Sequence, residues 1–382
     1  MRLLVGAPAY PPGVGGVQTL SARLAGALAG RGHEVSVLAR GREPDPHIDA
    51  ETAPARVRRV GWKPLLWPAF VGRALAERPD AMLLTHRADF LRPALLLRRL
   101  AGLPLAVVVH GNEVYGSPRR EALVAALGEA DAIIAVSRYA RERLVAMGLP
   151  EGKTHAIPNG VHVEGFDPPG AGETVRERLG LEGRRVILSV GRLARVKGFD
   201  GVIRALPRVA DRFPDVVYLV AGRGPEEGAL RRLARDLGVA ERVRFLGEIS
   251  SGELGRGEHA YYQACDLFAM PGREDRAEGA VEAFGIAYLE AGACAKPVIG
   301  GLAGGAREAV AEGESGLLAD PDRPEAVAEA VLRLLASPEL ARRLGENGRR
   351  RAEARTWSRV AGEYEAVLQG IALRREPVAR PR

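Results

Sequence analysis

Short, uninterrupted apolar runs alternate with amphipathic stretches along nearly the whole chain, and this alternation limits the fold more than any other feature. Strands are expected at RLLVGA (2–7), HEVSVLA (33–39), AMLLT (81–85), LAVVVH (105–110), AIIAVS (132–137) and THAIPN (154–159). A second set is expected at RVILSVG (185–191), VVYLVAG (216–222), RVRFLG (242–247), DLFAMP (266–271) and KPVIGG (296–301). Helical patterns fall between them, for example over 18–31, 119–129 and 229–237. Strands that are apolar on both faces belong to parallel sheets covered by helices on each side. So many βα units exceed one compact sheet, and 382 residues exceed what one hydrophobic core usually supports. The expected fold class is α/β, with two Rossmann-like domains. The break is placed in IPNGVHVEGFDPPGAGE (157–173), dense in Pro, Gly and Asp. That gives domains over 1–165 and 166–357. The stretch 357–375 reads as a terminal amphipathic helix, and EPVARPR as a frayed end.

With 46% apolar and 27% charged residues the chain has the composition of an ordinary soluble protein. Its formal charge of +7 comes from arginines scattered along the length. That suits anionic ligands or anionic lipid; nucleic acid would favour clustered basic residues and stacking aromatics. Cys265 and Cys294 are the only cysteines, with no CxxC pair and no cluster with His. Neither a disulfide framework nor a zinc site is indicated, and both are expected in the core. The N-terminus passes from a brief apolar stretch directly to Pro and Gly, which reads as a first strand and not a signal peptide. No uncharged run approaches the ~20 apolar residues that span a bilayer. A cytoplasmic location is expected.

EAFGIAYLE (282–290) places a glutamate at each end of a mostly apolar run. On a helix, eight residues turn through about 800° and rise about 12 Å, so Glu282 and Glu290 would lie within about 80° of one face. That spacing is too wide for a shared proton and suits a grip on two ends of one extended ligand. Two solvated helix charges are the alternative. Three Gly-rich loops also follow strands, at the carboxyl edge where open α/β sheets bind ligands. In PPGVGGVQTL, Gly13, Gly15 and Gly16 leave the backbone bare before a helix, where amides can approach a phosphate. The dinucleotide fingerprint GxGxxG is broken there, because Gln18 stands in its third glycine position. In VGRLARVKG (190–198), Arg192 and Lys197 put two cations on one short loop, suited to a diphosphate; a solvated basic loop is the alternative. AGRGPEE (221–227) also departs from the fingerprint and is expected only to shape the cleft. His110 closes LAVVVH and either bonds a substrate hydroxyl or phosphate or is structural, as His33 is read to be. Asp320-Pro321-Asp322 matches a metal-holding DxD pattern but sits in a Pro-rich turn, where Asp serves turn and cap. No metal site is expected.

Taken in order, PPGVGG, RGHEV, VVVHGNE, ADAIIAVS, IPNGV, SVGRLARVKG, VAGRGPEE, VRFLG, DLFAMP, EAFGIAYLEAGACAKPVIGG and ESGLLADPDRPEAVAEAV resemble the retaining glycosyltransferases of family four. The resemblance runs the length of the chain. It implies the GT-B fold, two Rossmann-like domains facing a cleft, with a helix over 358–376 packing back on the first. GREDRAEGAVEAFG and LEAGACAKPVIGGLAGGAREAV look most like the actinobacterial mannosyltransferases of phosphatidylinositol mannoside synthesis, which use GDP-mannose. Carried over by position, the resemblance implies that Glu282 contacts hydroxyls of the donor sugar and Glu290 binds the ribose. It implies that amides around Phe284, Gly285 and Ile286 face the donor at a helix N-terminus. Arg192 and Lys197 match the diphosphate-binding pair, Gly15 and Gly16 the loop that closes over the phosphates, and His110 the His near the transferred sugar. Arg192, Lys197, Glu282 and His110 form the expected catalytic set. Three positions depart from the pattern: Ala283 replaces a glycine, His162 an acid, and Asn112 a histidine. They bear on acceptor and fine donor specificity.

The expected reaction moves a hexose, mannose first, from a nucleotide-sugar donor to a lipid or glycan hydroxyl with retention. The resemblance implies front-face attack, with a leaving phosphate oxygen taking the proton, and no metal or other cofactor. The same fold using UDP-glucose or UDP-N-acetylglucosamine is the alternative, followed by a non-catalytic sugar-nucleotide binder. GWKPLLWPAF (61–70) and LRPALLLRRL (91–100) either lie on an anionic membrane surface or pack in the first domain's own core. The first reading would make the protein peripheral on the inner face of the cell membrane.

Overall fold

The computed structural model describes residues 1–41, 54–163, 170–249 and 259–374. Part of the Pro- and Gly-rich stretch 157–173, and the terminal EPVARPR, lie outside the described residues. The chain divides into two units, Met1–Asn159 with Trp357–Arg382, and Gly160–Thr356.

The first unit holds β1 (Arg2–Ala7), β2 (Glu34–Arg40), β3 (Arg56–Val60), β4 (Ala81–Leu84), β5 (Leu105–Val109), β6 (Ala132–Ala135) and β7 (Thr154–Ala156). They pair in parallel in the order β3-β2-β1-β4-β5-β6-β7. Strand β1 therefore has later strands on both sides, and the β1/β4 seam is a topological switch point. The apolar runs explain the buried strands. Strand β3 was not foreseen, because RVRRV has no apolar run; it is the sheet edge, where charged residues shield unpaired backbone from other chains.

Gly6 on β1 carries a packing requirement. A Cβ there would fall 2.7 Å from Leu84, 3.1 Å from Phe90 and 3.2 Å from Phe70. Phe70 and Phe90 are fully buried, with ring centroids 5.1 Å apart. The helix Trp357–Leu373 belongs to this unit and packs on the helix Gly16–Gly30. Glu365 on it accepts a 2.6 Å hydrogen bond from Arg31 and lies 3.3 Å from His33 Nε2. His33 is thus a structural residue of this unit.

The second unit holds β8 (Arg185–Val190), β9 (Val216–Ala221), β10 (Val243–Gly247), β11 (Leu267–Met270), β12 (Val298–Gly301) and β13 (Gly316–Ala319). The order is β10-β9-β8-β11-β12-β13, all parallel, so the switch point lies between β8 and β11. The short GLLA of β13 was also not foreseen. The amphipathic helices Phe199–Arg212 and Pro324–Ala336 pack together over one face, burying Val202, Leu206 and Val331 with Ile187, Tyr218 and Leu317.

Phe90→Ala removes one ring from a fully packed pair and should cost about 3–5 kcal/mol. A urea unfolding curve should show the midpoint falling with the slope unchanged; an unaltered midpoint would mean that the pair does not support β1.

Candidate active site

In the second unit, β8 runs into a loop, a short turn Arg195–Lys197 and then the helix Phe199–Arg212. Gly198 joins turn to helix at φ 74°, and a Cβ there would fall 1.9 Å from the carbonyl oxygen of Pro271. Only glycine lets this loop close onto the segment leaving β11. Lys197 Nζ then donates to Glu282 Oε2 in a short ion pair. Loops from both strands of the switch point are tied by that contact. Glu282 is 9% exposed at its side chain, so its charge needs this partner.

The expected helical spacing of the two glutamates is corrected here. The helix begins only at Ile286 and runs to Ala293; Glu282 lies in the irregular segment before it. Gly285 caps that helix at φ 88°, a left-handed conformation that interrupts any helix running through it. The Tyr288 ring fills the space where a Cβ on Gly285 would sit, 2.3 Å away, and its hydroxyl donates to the Met270 carbonyl at 2.7 Å. Upstream, the Gly305 amide donates to the Glu282 carbonyl at 2.8 Å. No side chain caps the helix, which suits its N-terminal amides to an anion. Phe284 is buried and Ile286 is the first helical residue. Ala283 has no left-handed φ, so alanine costs no strain in the glycine's place. Glu290 is on the helix, accepting from the Tyr262 hydroxyl at 2.8 Å.

Arg192 is exposed and forms no ion pair among the described residues. Its loop is clamped by AGRGPEE: the Leu193 amide donates to the Arg223 carbonyl at 3.0 Å, and a Cβ on Gly224 would lie 2.3 Å from the Leu193 carbonyl. Sequence reasoning missed Arg273. It is 4% exposed, donates to both carboxylate oxygens of Asp200 at 2.7 and 3.0 Å, and lies 3.0 Å from Asp322. Its only sequence signal was a cation immediately after a strand-end Pro-Gly. Asp322 is thereby paired, and Asp320 Oδ1 accepts from the Asp322 amide in a turn. Among the described residues no cluster of three or more His, Cys, Asp or Glu could hold a metal ion. A cavity of about 800 Å³ lies here, lined by Arg195, Arg273, Glu274, Asp275, Asp320 and Asp322 among others; none of the expected donor-binding residues lines it. Cys265 is buried, and burial pushes its thiol up to about 12; Cys294, half-buried, is also raised.

In the first unit, Gly15 caps the helix Gly16–Gly30 at φ 149° with no side-chain cap, leaving a bare loop after β1. Ser21 on that helix donates to Thr85 Oγ1 at 2.7 Å, and the Thr85 carbonyl faces His110 Nε2 at 2.9 Å. The His110 amide donates to Glu113 Oε1 at 2.8 Å. The ends of β4 and β5 and the helix after β1 are therefore bonded together. His86 also stands there, its ring centroid 5.8 Å from that of His110. Sequence reasoning missed it, although a His directly after AMLLT was the available signal. The two Leu- and Trp-rich segments divide residue by residue. Trp62, Leu65, Trp67, Leu96 and Leu100 are exposed, while Leu66, Phe70, Leu91 and Leu95 are buried. Among the described residues no helix is long and apolar enough to cross a membrane.

The family model described as Glycosyl transferases group 1 matches residues 172–351, and the one described as Glycosyltransferase Family 4 matches 14–164. The chain is 35% identical, over 89% of its length and 91% of the relative's, to the GDP-mannose-dependent alpha-(1-6)-phosphatidylinositol monomannoside mannosyltransferase of Mycolicibacterium smegmatis. This chain is a family-four glycosyltransferase. The enzyme of the same name from Mycobacterium tuberculosis is 32% identical over 97% of this glycosyltransferase and 98% of its own length. The crystal structure of HepE from Anabaena in complex with UDP and glucose superposes with a TM-score of 0.79 at 22% identity, covering 97% of this chain and all of that one. The GT-B fold class is shared.

Gly285→Ala in this glycosyltransferase should lower the melting temperature by more than Gly313→Ala. Both positions have left-handed φ, at 88° and 70°, worth about 1–3 kcal/mol of strain, but only Gly285 has a ring against the new methyl. Equal losses would show that Tyr288 does not lock the turn.

Proposed function

We propose that this glycosyltransferase moves mannose from GDP-mannose to a hydroxyl of a phosphatidylinositol mannoside, with retention at the anomeric carbon. The observation that carries the proposal is 35% identity over nearly the full length to an enzyme of that description. The second unit supports it with a suitable charge pattern. Bond breaking builds negative charge on the leaving diphosphate; the exposed Arg192 and the amides at Gly285 and Ile286 would supply a preorganised positive field, and the partly exposed Lys197, shared with Glu282, would add to it. Glu282 is neutralised by Lys197, which fits a carboxylate accepting hydrogen bonds from sugar hydroxyls better than a nucleophile. Glu290, on the helix Ile286–Ala293, would take the ribose hydroxyls. The acceptor proton passes to a leaving phosphate oxygen during front-face attack. On this scheme the reaction needs no metal and no other cofactor, because side chains and amides hold the diphosphate.

The enzyme would work as a peripheral protein on the cytoplasmic face of an anionic membrane. Trp62, Leu65 and Trp67 are 60%, 48% and 45% exposed beside the exposed Lys63, a composition suited to a lipid interface. A lipid acceptor would be met there.

A thermal-shift series with GDP-mannose, GDP, UDP-glucose, UDP-N-acetylglucosamine and NADH tests the donor. A ligand at ~100 times its dissociation constant should add ~2.7 kcal/mol of stability. GDP compounds should stabilise the wild type selectively, with the effect weakened in Glu290→Ala. Stabilisation by UDP-sugars alone would overturn the donor, and no stabilisation by any sugar nucleotide would sink the site. Arg192→Ala should lower kcat by ~10²-fold, the loss typical of one charge-stabilising donor.

A further inference from the structure

His86 and His110 stand at the ends of adjacent parallel strands, β4 and β5, with ring centroids 5.8 Å apart. Their protein contacts determine which nitrogen of each ring carries a proton. His110 Nε2 lies 2.9 Å from the Thr85 carbonyl, which can only accept, so Nε2 is the donor. Nδ1 of the neutral His110 ring is then a lone pair. His86 is the reverse: the Ala88 amide, which can only donate, points at His86 Nδ1 from 3.1 Å, so Nδ1 is the lone pair and Nε2 bears the hydrogen. Protonation of His86 would set Nδ1–H against that amide. Burial holds its pKa below the ordinary range; His110 and Arg87 lower it further, against Glu113 and Asp89, which raise it. Neither the His86 Nε2–H nor the His110 Nδ1 has a partner among the described residues.

We propose that His86 is a further substrate-binding residue, its Nε2–H donating to one hydroxyl of a polyhydroxylated ring while His110 Nδ1 accepts from another. Hydroxyls both donate and accept, so two imidazoles of opposite polarity suit a sugar or cyclitol ring and suit neither a phosphate nor a carboxylate. The pair sits at the carboxyl edge beside the β1/β4 switch point, where such sheets bind ligands. It is held there by Ser21, Thr85 and Glu113. This inference rests on the glycosyl-transfer reading above; the ring belongs either to the donor sugar or to the acceptor.

His86→Asn and His86→Gln separate the two nitrogens. Asparagine can still accept from the Ala88 amide in an Asx turn but does not extend to the Nε2 position. Glutamine places an amide N–H near that position. With GDP-mannose and phosphatidylinositol monomannoside as substrates, His86→Asn should raise KM for one of them about threefold to tenfold, the effect of one hydrogen bond. His86→Gln should recover most of that loss. A rise for GDP-mannose assigns the donor hexose, and a rise for the lipid assigns the acceptor ring. In the wild type, with its imidazoles labelled with nitrogen-15, the His86 Nε2 resonance should move on addition of that substrate while Nδ1 stays. Unchanged KM for both substrates, or an immobile Nε2 resonance, would overturn the proposal even if His86→Asn folds poorly. A wild type that turns over no sugar nucleotide would overturn the transfer reading and this inference with it; an active wild type matched by His86→Asn would overturn this inference alone.

Discussion

A parallel strand buried on both faces must send the chain back through a helix before the next strand can start, so every loop leaving a carboxyl end gathers on one edge. The candidate site follows from that geometric requirement. It brings the ends of β8 and β11 together across a switch point in one sheet, and those of β1, β4 and β5 together in the other. Residues about 85 positions apart, such as Lys197 and Glu282, become neighbours without any long excursion of backbone.

At the second sheet the close approach is made by glycine. Gly198 against Pro271, Gly224 against Leu193 and Gly304 against the Glu282 carbonyl leave no room for a β-carbon. The charges there are arranged unequally. Glu282 and Arg273, both nearly buried, are paired, as burial demands. Arg192 is exposed without an ion partner among the described residues, so its field is available to a ligand. Lys197 occupies both roles, neutralising Glu282 while remaining 24% exposed at its side chain.

The apolar surface of the first unit follows the same division of labour along single helices. On the helix Leu66–Glu77, Leu66 and Phe70 enter the core while Trp67 and Leu75 face out. Each segment is buried in part and exposed in part, because helical periodicity sends neighbours in opposite directions.

The sequence alone determined the α/β class and most of the strands, because apolar runs bounded by Gly and Pro are local signals that survive any packing. It also marked the loops at strand ends, and so Arg192, Lys197 and His110. It did not disclose β3, whose RVRRV is a strand only because β2 offers an edge, or β13, whose four residues carry no period. The helical spacing considered for 282–290 is interrupted by one glycine with positive φ, where a tyrosine ring leaves no room for a β-carbon. Arg273 and His86 are single residues without a pattern, and only the fold sets them against Asp200 and His110. Periodicity and turn chemistry are written in neighbouring residues; a partner 73 or 24 positions away is chosen by the sheet order, which no local stretch contains.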